Sequence, residues 1–182
     1  MLDGAFHLNQ ASLADDVGVS ATTIADWLSI LEASYIIFRL QPFHENFGKR
    51  LIKSGKLYFL DVGLAAWLLG IESGGQLRRD PLRGNLVENF VIVETLKNIL
   101  NRGKDPRLYF FRDSRGNEVD LVIQKGRDLD VVEIKAAQTW HDSFLKGINY
   151  FNSIAKDYNT NSIVVYGGVD NTKCNNNSVA IC

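Results

Sequence analysis

The sequence is short of cysteine and histidine, and each shortage removes a class of chemistry. Its 2 cysteines, Cys174 and Cys182, lie in the polar C-terminal tail with no CxxC spacing and no histidine nearby, which argues against a zinc site. A disulfide between them is open to the chain, but reduced thiols are the expectation in a cytosolic protein. The 3 histidines, His7, His44 and His141, are scattered and read as solvated or core-edge side chains. No run approaches the roughly 18 uninterrupted apolar residues of a membrane span. The N-terminus lacks the basic-then-apolar pattern of a signal peptide. These absences lead to the expectation of a soluble, cytoplasmic chain. Positive charge is not in excess either. A formal net charge of −1 argues against nucleic-acid binding by bulk electrostatics alone and leaves only local basic patches.

What is present is enough apolar residue, 46% of 182, to bury a core in one large domain or two small ones. The pattern changes near residue 78. Leu13–Val17 reads as a short helix ended by Gly18, and Ser20 is a natural N-cap for the next helix. Ile24, Trp27, Leu28 and Leu31 share one face of that helix. Short helix, glycine turn and Ser-capped helix make a helix-turn-helix pattern. The β-rich runs Tyr35–Leu40 and Lys56–Leu60 then flank a polar loop as a wing, and Leu64–Leu69 continues as a helix. Residues 72–83, with a Gly-Gly pair, Arg78, Arg79 and a proline, read as a linker.

Beyond the linker the order is α-β-β-β-α-β: a helix over 86–100, strands over 109–112, 118–123 and 131–135, a helix over about 140–155, and a strand over 162–166. Residues 170–177 read as a loop and 179–181 as a last edge strand. The expected fold is therefore α/β: a winged helix-turn-helix over 1–78, then one α/β domain over 79–182.

Four residues stand out. Side chains alternate along a strand, so Glu133 and Lys135 share one face of 130–136 while Val132 and Ile134 share the other. On the preceding strand Glu118 and Asp120 share a face, and an antiparallel pairing brings Asp120 near Glu133. Two carboxylates suit Mg²⁺ or Mn²⁺, whose shell is completed by water and substrate phosphate. A neighbouring lysine can orient water or stabilise charge on phosphorus. Glu88 lies on a helix that is apolar nearly all round, so its carboxylate needs a partner: a shared metal, or the ammonium of Lys135. A Glu-x-Lys on one strand alone reads as a solvated salt bridge. Helix-Glu, strand-Asp and strand-Glu-x-Lys in that order read as a metal-type site.

At these residues the chain resembles a known family. The segments Gly84–Val91, Phe111-Arg112-Asp113…Gly116-Asn117-Glu118-Val119-Asp120 and Val132–Lys135 are similar to the domain of unknown function found C-terminal to an AAA+-type ATPase module in many bacterial and archaeal proteins. Gly18-Val19-Ser20, Leu31-Glu32 and Lys56–Leu64 look like the winged helix that precedes it. The resemblance implies a restriction-endonuclease-like fold with a mixed central sheet after about residue 79, and a PD-(D/E)XK nuclease-type site at Glu88, Asp120, Glu133 and Lys135. Asp120, Glu133 and Glu88 would be the metal ligands. Arg112 and Glu118 also match family positions; Arg112 could hold a phosphate or be a surface charge. The ATPase module itself is missing from this sequence, since no G-x-x-x-x-G-K-[ST] occurs. Leu57–Asp61 imitates a Walker B strand but reads better as a wing strand ending in a turn.

The implied activity is metal-dependent phosphodiester hydrolysis on nucleic acid. The alternative is a non-catalytic module that positions an ATPase, in the same or another chain, on nucleic acid or a protein. The candidate recognition helix is a poor reader of DNA, because no Lys or Arg precedes Arg39 while Asp15, Asp16, Asp26 and Glu32 are acidic. Lys49, Arg50, Lys53 and Lys56 in the wing, and Arg78, Arg79 and Arg83 in the linker, could touch a nucleic-acid backbone, while the default reading of such clusters is a solvated loop.

Overall fold

The computed structural model describes residues 9–43, 54–168, 173–174 and 178–181. His7, His44, Lys49, Arg50, Lys53 and Cys182 lie outside them. The chain forms two compact units, one of residues 1–41 and 54–93, the other of residues 42–53 and 94–182.

The first unit opens with α1 (Gln10–Val17), whose start is capped by Asn9 and whose end turns at Gly18, φ 78°. That left-handed backbone suits glycine, and the Gly18 amide closes the helix on the Ala14 carbonyl at 2.8 Å. In α2 (Ala21–Ala33), Ser20 Oγ accepts the Thr23 amide at 3.0 Å as expected of an N-cap. Ile24 and Leu28 are buried with Ala14 and Ile37, and Leu31 packs against them. Trp27 does not join them; it is 48% exposed. Its position falls to one side of the line through Ile24, Leu28 and Leu31, which face that cluster.

Strands β1 (Ile37–Pro42) and β2 (Lys56–Phe59) pair antiparallel from Ile37↔Phe59 to Leu40↔Lys56. The Walker-B-like run ends as a cap: Asp61 Oδ1 accepts the amides of Gly63 and Leu64 at 2.7 and 3.2 Å and starts α3 (Val62–Leu68). The expected linker contains a short helix, α4 (Gly74–Leu77). Ser73 and Gln76 form a reciprocal capping box there, which satisfies amides that two glycines alone would leave to solvent. The long helix α5 (Arg83–Asn101) contributes its first half to this unit. Asn89, fully buried, clamps β2 by accepting the Phe59 amide at 2.9 Å and donating to the Phe59 carbonyl at 2.7 Å.

The second unit is a six-stranded mixed sheet in the order β3-β4-β5-β6-β8-β7. Strands β3 (Leu108–Arg112), β4 (Glu118–Lys125) and β5 (Asp128–Lys135) form an antiparallel meander. A parallel neighbour needs a crossover. A 3₁₀ turn (Asp142–Leu145) and α6 (Lys146–Ile154) supply it before β6 (Asn159–Tyr166), which pairs with β5 from Asp128↔Asn159 to Lys135↔Tyr166. The expected helix over 140–155 is thus divided, because His141 caps the 3₁₀ turn through the Ser143 amide. Within the expected terminal loop lies β7 (Lys173–Cys174), which flanks β8 (Ser178–Ile181), so β8 is an inner strand rather than the edge. Ile148 and Phe151 of α6 are fully buried with Val122, Val131 and Val164 of the sheet. This packing sets α6 on the face that carries the candidate site.

Candidate active site

The hairpin register positions the carboxylates. The β4–β5 ladder runs from Lys125↔Asp128 to Leu121↔Val132, which leaves Asp120 and Glu133 as the next step along two adjacent strands. Asp120 Oδ2 accepts the backbone amide of Ile134 at 2.8 Å, fixing that carboxylate to the end of β5. Lys135 reaches both acids, with its ammonium 2.6 Å from Glu133 Oε1 and 3.7 Å from Asp120 Oδ2. Asp120, Glu133 and Lys135 therefore come together as a set. Both carboxylates are buried, while the Lys135 side chain keeps a third of its surface exposed.

Burial is the largest influence on Glu133, and the adjacent Asp120 charge adds to it. Together they outweigh the Lys135 ammonium and push the Glu133 carboxyl up to about 8. Its Oε2 is buried without a hydrogen-bond partner. The first turn of α6 lies against that oxygen. A methyl group placed on Gly147 would sit 2.1 Å from the Glu118 carbonyl oxygen and 3.4 Å from Glu133 Oε2. Only a residue without a side chain lets the helix approach this closely.

Glu88 belongs to the other compact unit. Within that unit its Oε1 accepts from Lys56 Nζ at 3.0 Å and from the Tyr58 hydroxyl at 2.6 Å. The partner that a carboxylate on an apolar helix requires is thus present locally, on alternate residues of β2. Lys56 is correspondingly 1% exposed, so it is not one of the solvent-facing wing cations expected from the sequence. Arg112 and Glu118 stand opposite each other on β3 and β4, with Nε 3.7 Å from Oε2.

The family resemblance included Asp113 in its hairpin segment without giving it a role, yet it organises the hairpin leading to Glu118 and Asp120. Its Oδ1 accepts the amides of Arg115 and Asn117 at 2.9 and 3.0 Å. Its Oδ2 accepts from the Asn117 side chain at 2.9 Å and from the Tyr150 hydroxyl of α6 at 2.7 Å. Burial works to raise its carboxyl, but the Asn117 and Tyr150 hydrogen bonds and the two backbone amides prevail and lower it to about 2. The readable signal was an Asp followed by Gly116-Asn117, a pattern for side-chain-to-backbone turns. Because this pKa is depressed, the stabilisation is present above pH 3.8 and is lost as pH falls through about 2. Asp113→Ala is expected to lower stability by about 3 kcal/mol at pH 7, measured by urea unfolding.

Among the described residues, no three or more His, Cys, Asp or Glu side chains are grouped as a metal cage. The pair Asp120–Glu133 nevertheless suits a hard divalent cation that keeps most of its water, since such ions commonly take one or two carboxylates. The partnerless Oε2 of Glu133 is an oxygen donor without a proton donor beside it.

Residues 83–182 match the model of a domain of unknown function, DUF4143. The chain belongs to this family. The match to DUF4143 is consistent with a domain found C-terminally in AAA-type proteins, as the sequence resemblance suggested. Residues 4–74 match a second domain of unknown function, DUF8612. Two relatives of this DUF4143 chain are the uncharacterized proteins Mb2031c of Mycobacterium bovis and Rv2008c of Mycobacterium tuberculosis. Each is 35% identical over 129 residues, covering 71% of this chain and 28% of its own. The chain thus spans just over a quarter of the length of the curated relatives it matches. No solved structure matches it. Among the described residues, no helix is long and apolar enough to cross a membrane.

Proposed function

We propose that Asp120, Glu133 and Lys135 form a divalent-metal-dependent phosphodiesterase site acting on nucleic acid. The observation that carries this reading is the buried, partnerless Oε2 of Glu133 beside a second carboxylate and a lysine. Asp120 and Glu133 would hold Mg²⁺ or Mn²⁺, which supplies an acidified water and neutralises charge on the scissile phosphate. Lys135, the most exposed of the three, would face the phosphate and the attacking water as a point charge. Glu88 enters as a supporting carboxylate through the family resemblance alone.

An antiparallel meander followed by a parallel strand across a helix supports a restriction-endonuclease-like, PD-(D/E)XK type of domain. Two helices, a hairpin and a third helix support a winged helix before it. In a longer protein both would follow an ATPase module and act where it places nucleic acid.

Purified chain with Mn²⁺ or Mg²⁺ is expected to cleave single- or double-stranded DNA or RNA, and Lys135→Ala to slow cleavage by about a hundredfold or more. Lys135→Ala cleaving as fast as the parent would end the proposal. The close pairing of Lys135 with Glu133, which serves a structural ion pair as well as a catalytic one, supports a second reading: a non-catalytic module that binds nucleic acid or protein on a nuclease-like scaffold. That reading predicts binding that survives Glu133→Ala, with no cleavage under either metal.

A further inference from the structure

We infer that the exposed side of α2 is a docking surface for a protein segment carrying apolar anchors flanked by lysine or arginine. Trp27 and Ile30 are 48% and 62% exposed. At i and i+3 they stand next to each other on the helix, beside the Ile24–Leu28 line that faces the core. Tyr35, just past the helix end, is 82% exposed and holds a left-handed backbone, φ 56°, a conformation that a glycine or asparagine adopts with less strain. A bulky aromatic kept there contributes little to the core of its own unit. Trp27 and Ile30, two large apolar side chains together on one exposed helix side, mark an interaction surface.

The charge carried by α1 and α2 selects the partner. Asp15 and Asp16 of α1 and Asp26 of α2 are exposed, and no Lys or Arg occurs before Arg39. Arg39 is itself bound to Glu32, with Nε donating to Oε2 at 2.6 Å. Phosphates would be repelled by this face. A second copy presenting the same face would bring like charges together. A basic amphipathic protein segment satisfies both the apolar stripe and the acidic charge of α1 and α2. This surface is independent of the phosphodiesterase reading, because it uses none of that site's residues.

Three 18-residue amphipathic helical peptides, with one common leucine face and a polar face of Lys, Gln or Glu, test the inference by calorimetry on the full chain. The Lys peptide is expected to bind at least about tenfold tighter than the Gln peptide, to weaken with salt, and the Glu peptide not to bind. Ile30→Lys should cost the Lys peptide about tenfold in affinity with no change in melting temperature, since Ile30 is mostly exposed. Asp26→Lys should weaken the Lys peptide and strengthen the Glu peptide. Equal binding of Lys and Glu peptides, or an unchanged affinity in Ile30→Lys, would overturn the inference. So would binding of a 20-base-pair duplex DNA that Ile30→Lys abolishes, because that would assign the face to nucleic acid.

Discussion

Gly147→Ala is expected to destabilise the chain by about 3 kcal/mol, read as a lower midpoint in urea unfolding. The sign is the informative part. Inside an ordinary exposed helix, replacing glycine by alanine stabilises by about 1 kcal/mol, because alanine loses less backbone entropy. Here the added carbon would fall 2.1 Å from the Glu118 carbonyl oxygen, a backbone atom that cannot rotate away. Either α6 lifts from the sheet or the β4 strand shifts, and both disturb the packing of Ile148 and Phe151. A lifted α6 would also admit water to Glu133. A variant that is more stable than the parent would show that the helix does not approach the hairpin as described.

Glu133→Gln is expected to remove a pH dependence worth a few kcal/mol from the metal-free chain. The Glu133 carboxyl is raised from 4.5 to about 8, so the folded state holds a proton that the unfolded state has released. Stability from this group is therefore fully present below pH 4.5, falls as pH rises, and is lost above about 8. Glutamine imitates the protonated acid and does not titrate. At pH 9 the variant should melt above the parent, while near pH 4 the two should melt together. A parent chain with no downward slope between pH 5 and 8 would show that Glu133 is already ionised without a cation.

Much of this was legible in the residues themselves. Val132-Glu133-Ile134-Lys135 fixed which side chains share a face, since period-two alternation leaves no other choice. Ser20 and Gly18 marked the ends of α1 and α2, because caps act through local amides. The illegible parts depend on distant contacts. Nothing near Glu88 in sequence says that Lys56 and Tyr58, about thirty residues away, come to its carboxylate. Lys56 looked like a wing cation because a lysine between polar loop and strand is usually solvated. Burial with Glu88 overrides that preference. Gly147 carried a readable hint, a glycine within a helical pattern, but the object it approaches belongs to another strand. Trp27 showed the limit of helical periodicity, which gives a direction on the helix but not how far round it burial extends.

The central claim is that Asp120 and Glu133 bind a divalent cation in place of the proton on Glu133. Calorimetric titration of the chain with Mn²⁺ at several pH values tests it most directly. One cation per chain is expected, with affinity rising roughly tenfold per pH unit up to about pH 8 as the proton becomes easier to displace. Binding should be lost in Glu133→Gln and Asp120→Asn. No uptake at millimolar Mn²⁺, or the same affinity in parent and Glu133→Gln, would contradict the account.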